Sequence, residues 1–142
     1  MAIYKVCREN VDGSYKSVSP PANARLTYAL NEKTEALRNT PGIFCFSNLQ
    51  SAQIFARRES MYGGMSYVVF MVETIGKKLP DIKELIAPMD LVYNRGTKAF
   101  AEHPKDDGYV TRIRVLPDTI LYAAVRLVKR VYKAVDGKTC QD

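Results

Sequence analysis

The sequence predicts a single α+β domain over residues 1–142, built on a largely antiparallel β-sheet. Three observations predict this class. Apolar residues alternate with a period of two near both ends of the chain, one stretch at about 48–60 has helical period, and turn residues such as Asp12–Gly13 separate short apolar runs. A chain of 142 residues with 46% apolar residues is long enough to bury a core of its own.

The first strands of the predicted sheet lie before the helix. Residues 2–9 alternate as a first strand, and the turn at Asp12–Gly13 leads into a short second strand, so the two form a hairpin. ARLTYAL at residues 24–30 predicts a third strand. Pro41–Gly42 then precedes IFCFS at residues 43–47, which predicts a fourth.

The main helix is predicted at about 48–60, where the apolar residues fall on one face: Leu49, Ala52, Phe55 and Ala56. Ser47 or Asn48 is expected to cap its first turn. Arg57 and Arg58 are expected in its last turn, where cations interact favourably with the helix dipole. Gly63–Gly64 is expected to end the helix rather than to bind phosphate, because phosphate loops run from strand to helix.

The second half of the chain predicts strands around a helical insertion. Residues 66–74, SYVVFMVET, give the strongest strand prediction in the chain. A helical insertion is predicted at about 81–103, because Asp81 and Glu84 have capping-box spacing. The long apolar run at residues 119–133 predicts the final strand.

Between these elements, VTRIRVLP at residues 110–117 predicts a strand that places Arg112 and Arg114 on the same face. One guanidinium group can donate two hydrogen bonds to the oxygens of a phosphate. Two arginines at this spacing therefore suit a pyrophosphate or two linked phosphates. The alternative is a solvent-exposed edge pair that deters aggregation. The spacing alone favours neither interpretation over the other.

The charge of the chain predicts anionic partners. Lys and Arg number 21 against 15 Asp and Glu, a formal net charge of +6. Such a surplus favours nucleotides, nucleic acid or acidic surfaces as partners. The nine tyrosines could also stack on bases, although several lie at strand positions where half-burial in a core is the default.

The residues that catalysis or metal binding would need are scarce. His103 is the only histidine, and no residue near it in the sequence forms a Ser-His-Asp or Cys-His catalytic arrangement with it. Cys7, Cys45 and Cys140 match no metal-ligand spacing and predict free thiols in a reducing compartment. We expect no catalytic residue, metal or cofactor. The charged N-terminus and the lack of a long apolar run predict a cytoplasmic protein without a membrane span.

Five segments carry a family resemblance: YKV, GSYKS, RLTYALNEKT, GIFCFSNLQSAQIFA and PDTILYAAVRLVKRV. In their residues and order they are similar to the phage anti-Thoeris signal sponges. The resemblance implies binding of cyclic ADP-ribose isomers without cleavage, with cyclic trinucleotides held by some members in separate pockets. It also implies a homo-oligomer, dimer or hexamer, in the cytoplasm of an infected bacterium. The long apolar final strand and the strand predicted at residues 66–74, which one helix would not cover, add to the expectation of an assembly.

The resemblance implies a ligand site of arginines, an aromatic stacker and an asparagine at a subunit interface. The residues of matching type are Arg57, Tyr93, Asn94, Arg112 and Arg114. Arg25, beside the third predicted strand, is the candidate for a second pocket.

Two other functions remain open from the sequence. One is a nucleotide-handling enzyme of the ADP-ribosyltransferase type, with Glu73 or Glu84 as its acidic residue. The other is a nucleic-acid-binding protein that uses the basic C-terminal strand, which predicts strong salt dependence with long polymers.

Overall fold

The computed structural model describes residues 2–18, 26–37, 42–63, 65–81, 84–88, 110–114, 116 and 118–140. These ranges confirm the predicted α+β class, because they contain one helix and ten strands. The elements are β1 (Ile3–Glu9), β2 (Tyr15–Ser17), β3 (Thr27–Tyr28), β4 (Lys33–Glu35), β5 (Ile43–Phe46), α1 (Leu49–Gly63), β6 (Ser66–Lys78), β7 (Glu84–Pro88), β8 (Val110–Arg114), β9 (Thr119–Val135) and β10 (Lys138–Thr139).

The larger sheet closes on itself. β1 pairs with β6 along its whole length and with β5 at Tyr4. β9 pairs with the same two strands, β5 and β6. All four ladders are antiparallel, and they lead from β1 through β6, β9 and β5 back to β1. These four strands therefore form a strand ring, which has an inner and an outer face.

The inner face of the strand ring holds the main core. Its buried residues come from all four strands and from β3: Ile3, Cys7, Tyr28, Ile43, Cys45, Val68, Phe70, Val72, Val125 and Leu127. The ring of Tyr15 packs edge-on against Phe70, with 4.8 Å between centroids. Burial of a large apolar side chain stabilises a fold by about 1.5–3 kcal/mol, so this cluster is the principal source of stability.

Helix α1 covers part of the outer face. Ala52, Ala56 and Ser60 recur every fourth residue along it and are fully buried, and their small side chains let the helix approach the strands closely. The helix packs on a second core cluster that includes Val6, Phe46, Tyr67, Val69 and Ala134. The rings of Phe46 and Phe55 lie 5.5 Å apart at this boundary.

The helix prediction is confirmed, with a later end. Asn48 caps it, since its Oδ1 accepts the backbone N–H of Ser51 at 3.1 Å. The helix continues to Gly63, three residues beyond the predicted end. Arg57 and Arg58 consequently lie in the middle of the helix, and their predicted place in its last turn is wrong.

Most predicted strands form, but their lengths differ. The third predicted strand is only Thr27–Tyr28, with Leu30 making an isolated bridge to Leu127. β6 runs on to Lys78 as a partner of β9. Neither β4 nor β10 was predicted, because KTE and KT are short and carry no apolar alternation.

The predicted helical insertion at about 81–103 is wrong over Glu84–Pro88, which form β7. This strand pairs antiparallel with β8 in a separate two-stranded sheet. Asp81 forms an exposed ion pair with Lys78 at 3.2 Å, in place of a helix cap. Pairing between two apolar runs has outweighed the local capping signal. The rest of the predicted insertion lies outside the described residues.

The apolar residues of the strand predicted at 66–74, now β6, and of the final strand are covered within one chain. Val68, Val69, Phe70, Val125 and Leu127 are each at most 1% exposed. The need to cover these strands therefore gives no reason for an assembly. Within the described ranges, no helix has the length and apolar character that a membrane crossing requires.

Candidate functional site

Arg57 meets the hydroxyl group of Tyr132 where α1 crosses the end of β9. Its Nη1 donates a hydrogen bond to Tyr132 Oη at 3.1 Å. The same phenol oxygen lies 2.8 Å from Thr139 Oγ1 on β10. Since the arginine donates to the phenol oxygen, the phenol proton is available for the threonine. This chain of hydrogen bonds fixes the guanidinium between the helix and the β9–β10 hairpin.

Ser60 holds the helix against that hairpin. Its side chain is fully buried, donates to Arg57 O at 2.8 Å and accepts the backbone N–H of Gly137 at 2.8 Å. Gly137 has φ 78°, and a Cβ there would lie 2.5 Å from Met61 Cγ. Only glycine can adopt this positive φ and also leave room for Met61 without strain. The contact sets the position of α1 along β9 and so aligns Arg57 with Tyr132.

The charge of Arg57 is not balanced by a carboxylate among the described residues. Its one side-chain partner there is the neutral phenol of Tyr132. By contrast, Arg130 and Arg126 lie beside Glu9 and Glu73, at 3.0 and 3.7 Å. A guanidinium has five N–H donors, so most of those on Arg57 remain for another acceptor. A half-buried, prepositioned guanidinium of this kind suits bidentate binding of a phosphate or carboxylate.

Two side chains near Arg57 add the other contacts that a nucleotide needs. Tyr132 supplies an aromatic ring beside the cation. Gln53, also half-buried, lies one turn before Arg57, at a spacing that puts Cβ atoms about 5–6 Å apart on a helix. Its amide can donate and accept hydrogen bonds with a base edge. Neither residue was a sequence candidate, because tyrosines and glutamines are too common to single out without the fold.

None of the other predicted site residues is described beside Arg57. Arg112 and Arg114 are in β8, as predicted, where their Cα partners are Ile86 and Glu84 of β7. The β7–β8 sheet is separate from the strand ring, whereas Arg57 lies over the ring's outer face. Arg25, Tyr93 and Asn94 lie outside the described residues. Of the six candidates, only Arg57 therefore has a described side-chain environment.

A buried lysine lies inside the strand ring. Lys5 is 7% exposed, and its Nζ donates to Phe44 O at 2.8 Å and lies 5.6 Å from the centroid of the Tyr28 ring. Burial acts to lower the pKa of Lys5, but Tyr28, Cys45 and Cys7 act to raise it, and the net direction is upward. A lysine that keeps its proton is neither a general base nor a Schiff-base nucleophile. Its role here is to satisfy a core carbonyl.

The two thiols beside Lys5 are also unreactive. Burial raises the pKa of Cys7 to about 12 and that of Cys45 to about 11, although the nearby Lys5 acts to lower both. Thiols in this state are protonated at neutral pH and behave as small apolar side chains. They belong to the core rather than to a site.

The two alternative acidic residues for an enzyme lie on different strands. Glu73 forms an exposed ion pair with Arg126 on the outer face, whereas Glu84 begins β7. Across the described ranges, no three His, Cys, Asp or Glu side chains are close enough to hold a metal ion. His103 is not among the described residues.

Comparisons with known proteins add no relative. No protein-family model, curated protein or solved structure matches this chain. The resemblance to the anti-Thoeris sponges therefore stays a prediction.

Proposed function

We propose that this protein binds a small anionic nucleotide-type signal and sequesters it without cleaving it. The observation that carries the proposal is the state of Arg57, a half-buried guanidinium held by Tyr132 without a carboxylate among the described residues. A net charge of +6 draws anions towards such a site. The resemblance names the ligand class, cyclic ADP-ribose isomers with cyclic trinucleotides, and the setting, a homo-oligomer in the cytoplasm of an infected bacterium.

Sequestration needs tight binding and no chemistry. Prepositioned donors lower the ordering cost of binding, which is how a small site reaches high affinity. Arg57 is prepositioned by Tyr132 on one side and by the Ser60–Gly137 contact below it. Lys5, Cys7 and Cys45, all inside the strand ring, keep their protons at neutral pH. These features support a binding protein over an enzyme.

Nucleic-acid binding is the less favoured function. The basic C-terminal strand suggested it, but three of the four cations between Arg126 and Lys133 have carboxylate partners. Arg126 pairs with Glu73, while Arg130 and Lys133 both pair with Glu9. Cations that are already paired release few counterions when they meet a phosphate backbone.

Native mass spectrometry with a panel of cyclic nucleotides and cyclic ADP-ribose isomers tests the proposal. We expect one ligand class to bind with fixed stoichiometry, and we expect heat to release it with unchanged mass. Arg57→Ala should weaken binding by about tenfold or more, since a charge-assisted hydrogen bond contributes about 1.5–3 kcal/mol.

Arg58→Ala is the matched control, because Arg58 is the next residue of the same helix and is exposed. It should bind as tightly as the parent. Equal binding by the parent and the Arg57→Ala variant, with both folded by thermal melting, would contradict the site. Recovery of a chemically altered ligand would favour the enzyme instead.

A further inference from the structure

A row of hydrogen-bond donors crosses the outer face of the sheet on β3, β2, β1 and β6. The ladders place Thr27 opposite Lys16, Lys16 opposite Arg8, and Arg8 opposite Tyr67. Residues directly opposite in a ladder point to the same face. The row therefore presents a hydroxyl, an ammonium, a guanidinium and a phenol on four adjacent strands, without a carboxylate between them.

The two cations of this row are a like-charge pair. Side chains directly opposite across two strands have Cβ atoms about 4.5–5.5 Å apart, and like charges at that distance are destabilising. Neither Arg8 nor Lys16 forms an ion pair with any of the described residues. Asp12, in the turn before β2, is exposed, and its pKa is lowered chiefly by hydrogen bonds from Ser14, with the charge of Lys16 a smaller cause.

Arg8 also has an unsatisfied buried donor. Its Nε atom is buried and lacks a hydrogen-bond acceptor. Arg126 buries its Nε in the same way, but it places its terminal nitrogen beside Glu73. A buried donor without a partner is destabilising, so a structure that keeps one commonly completes it with a ligand, ion or water.

We propose that Arg8 and Lys16 form a binding site for a phosphate group. An oxyanion between them would accept a hydrogen bond from the guanidinium, pair with the ammonium and remove their mutual repulsion. Thr27, next in the row, offers a hydroxyl donor at the exposed side. The site uses none of the residues at Arg57, so it stands independently of the function proposed above.

Thermal melting at constant ionic strength tests this site. Replacing chloride by orthophosphate should raise the melting temperature of the parent in a concentration-dependent way. Arg8→Gln and Lys16→Gln should each lose that gain, and isothermal titration calorimetry should show phosphate binding weakened about tenfold or more. Lys16→Gln keeps the test valid if Arg8→Gln does not fold.

Lys129→Gln is the charge-matched control, because Lys129 is exposed on β9 and is remote from the row. It should keep the gain. Each variant is also measured in an Arg57→Ala background, so that phosphate bound at Arg57 does not contribute. Adenosine 5′-monophosphate at the same concentration shows whether a free phosphate or a nucleotide phosphate is preferred, and preference for either supports the site. Stabilisation by neither anion, or a gain that Arg8→Gln and Lys16→Gln retain, overturns the proposal.

Discussion

Arg130 and Glu9 lie 121 residues apart in the sequence, and their side chains meet at 3.0 Å at one end of the strand ring's inner face. Lys133 joins the same carboxylate at 3.2 Å. The three side chains are 18–27% exposed, so this is the most shielded ion cluster among the described residues. One carboxylate thus compensates two cations beside the main core.

Glu9→Gln should lower the free energy of unfolding by about 2 kcal/mol, because it removes the carboxylate that pairs with two shielded cations, Arg130 and Lys133. Urea denaturation measures the change. Glu35→Gln is the control, since its ion pair with Lys33 is exposed and should contribute under about 1 kcal/mol. Equal losses in the two variants would show that the Glu9 cluster behaves as an ordinary surface pair.

Alkaline pH should destabilise the fold through its buried thiols. Burial raises the pKa of Cys7 from 9.0 to about 12 and that of Cys45 from 9.0 to about 11. Above pH 9 the unfolded chain releases protons that the folded chain retains, so the free energy of unfolding falls as pH rises. The slope should approach about 1.4 kcal/mol per pH unit for each thiol.

Urea denaturation under reducing conditions at pH 8, 9 and 10 measures that slope. Cys45→Ala should make it shallower, and Cys140→Ala should leave it unchanged because Cys140 lies outside the core. A parent whose stability is the same at pH 8 and pH 10 would rule out the effect.

Gly137→Ala should destabilise the protein more than Gly76→Ala. Both glycines have positive φ, 78° and 82°, so both substitutions carry a backbone cost of about 1–2 kcal/mol. Only at Gly137 does a Cβ also meet a neighbour, Met61 Cγ at 2.5 Å. Combining Gly137→Ala with Met61→Ala should remove the extra loss in thermal melts. An extra loss that persists in the double variant would place the strain somewhere other than Met61.

Tyr132→Phe should weaken ligand binding while the fold survives. It removes the phenol oxygen, which accepts a hydrogen bond from Arg57 and contacts Thr139, but it keeps the aromatic ring. Loss of such a positioning hydrogen bond costs about 1 kcal/mol, or about fivefold in affinity. Calorimetric titration of the ligand found by mass spectrometry measures it. Thr139→Val is the comparison variant. It removes only the Thr139 hydroxyl, so it should weaken ligand binding less than Tyr132→Phe does.

Changing Arg112 and Arg114 together to alanine should weaken ligand binding by about two orders of magnitude, if both contact phosphates of the signal. Both lie in β8, so the strand that their spacing required is present. Binding and melting of the double variant are measured side by side. If the double variant has the melting temperature and the ligand affinity of the parent, Arg112 and Arg114 are a solvent-exposed edge pair rather than ligand contacts.

The elements predicted from the sequence were those with a strong local signal. Alternation marked β1 and β9, and helical period marked α1 with its Asn48 cap. β10 was not predicted, although Asp136–Gly137 before it form a two-residue hairpin turn with positive φ values of 52° and 78°. β7 was missed because its capping-box spacing is local, whereas its pairing with β8 is not.

The candidate site was only partly predictable for the same reason. Arg57 was a sequence candidate by residue type, but its partner Tyr132 is 75 residues away. The two meet because Ser60 fixes α1 on the β9–β10 turn. The row at Arg8 and Lys16 likewise depends on strand register, which alternation does not specify between strands.

β9 pairs with β4, β5, β6 and β10, so every route around the strand ring passes through it. During synthesis, β1 to β6 leave the ribosome before β9 exists, and their inner-face residues then have no completed core to enter. The hairpin of β1 and β2 can form early, but the strand ring cannot close until β9 has been synthesised. A nascent chain halted before residue 119 should therefore bind chaperones, and release of β9 should be the step that ends this dependence.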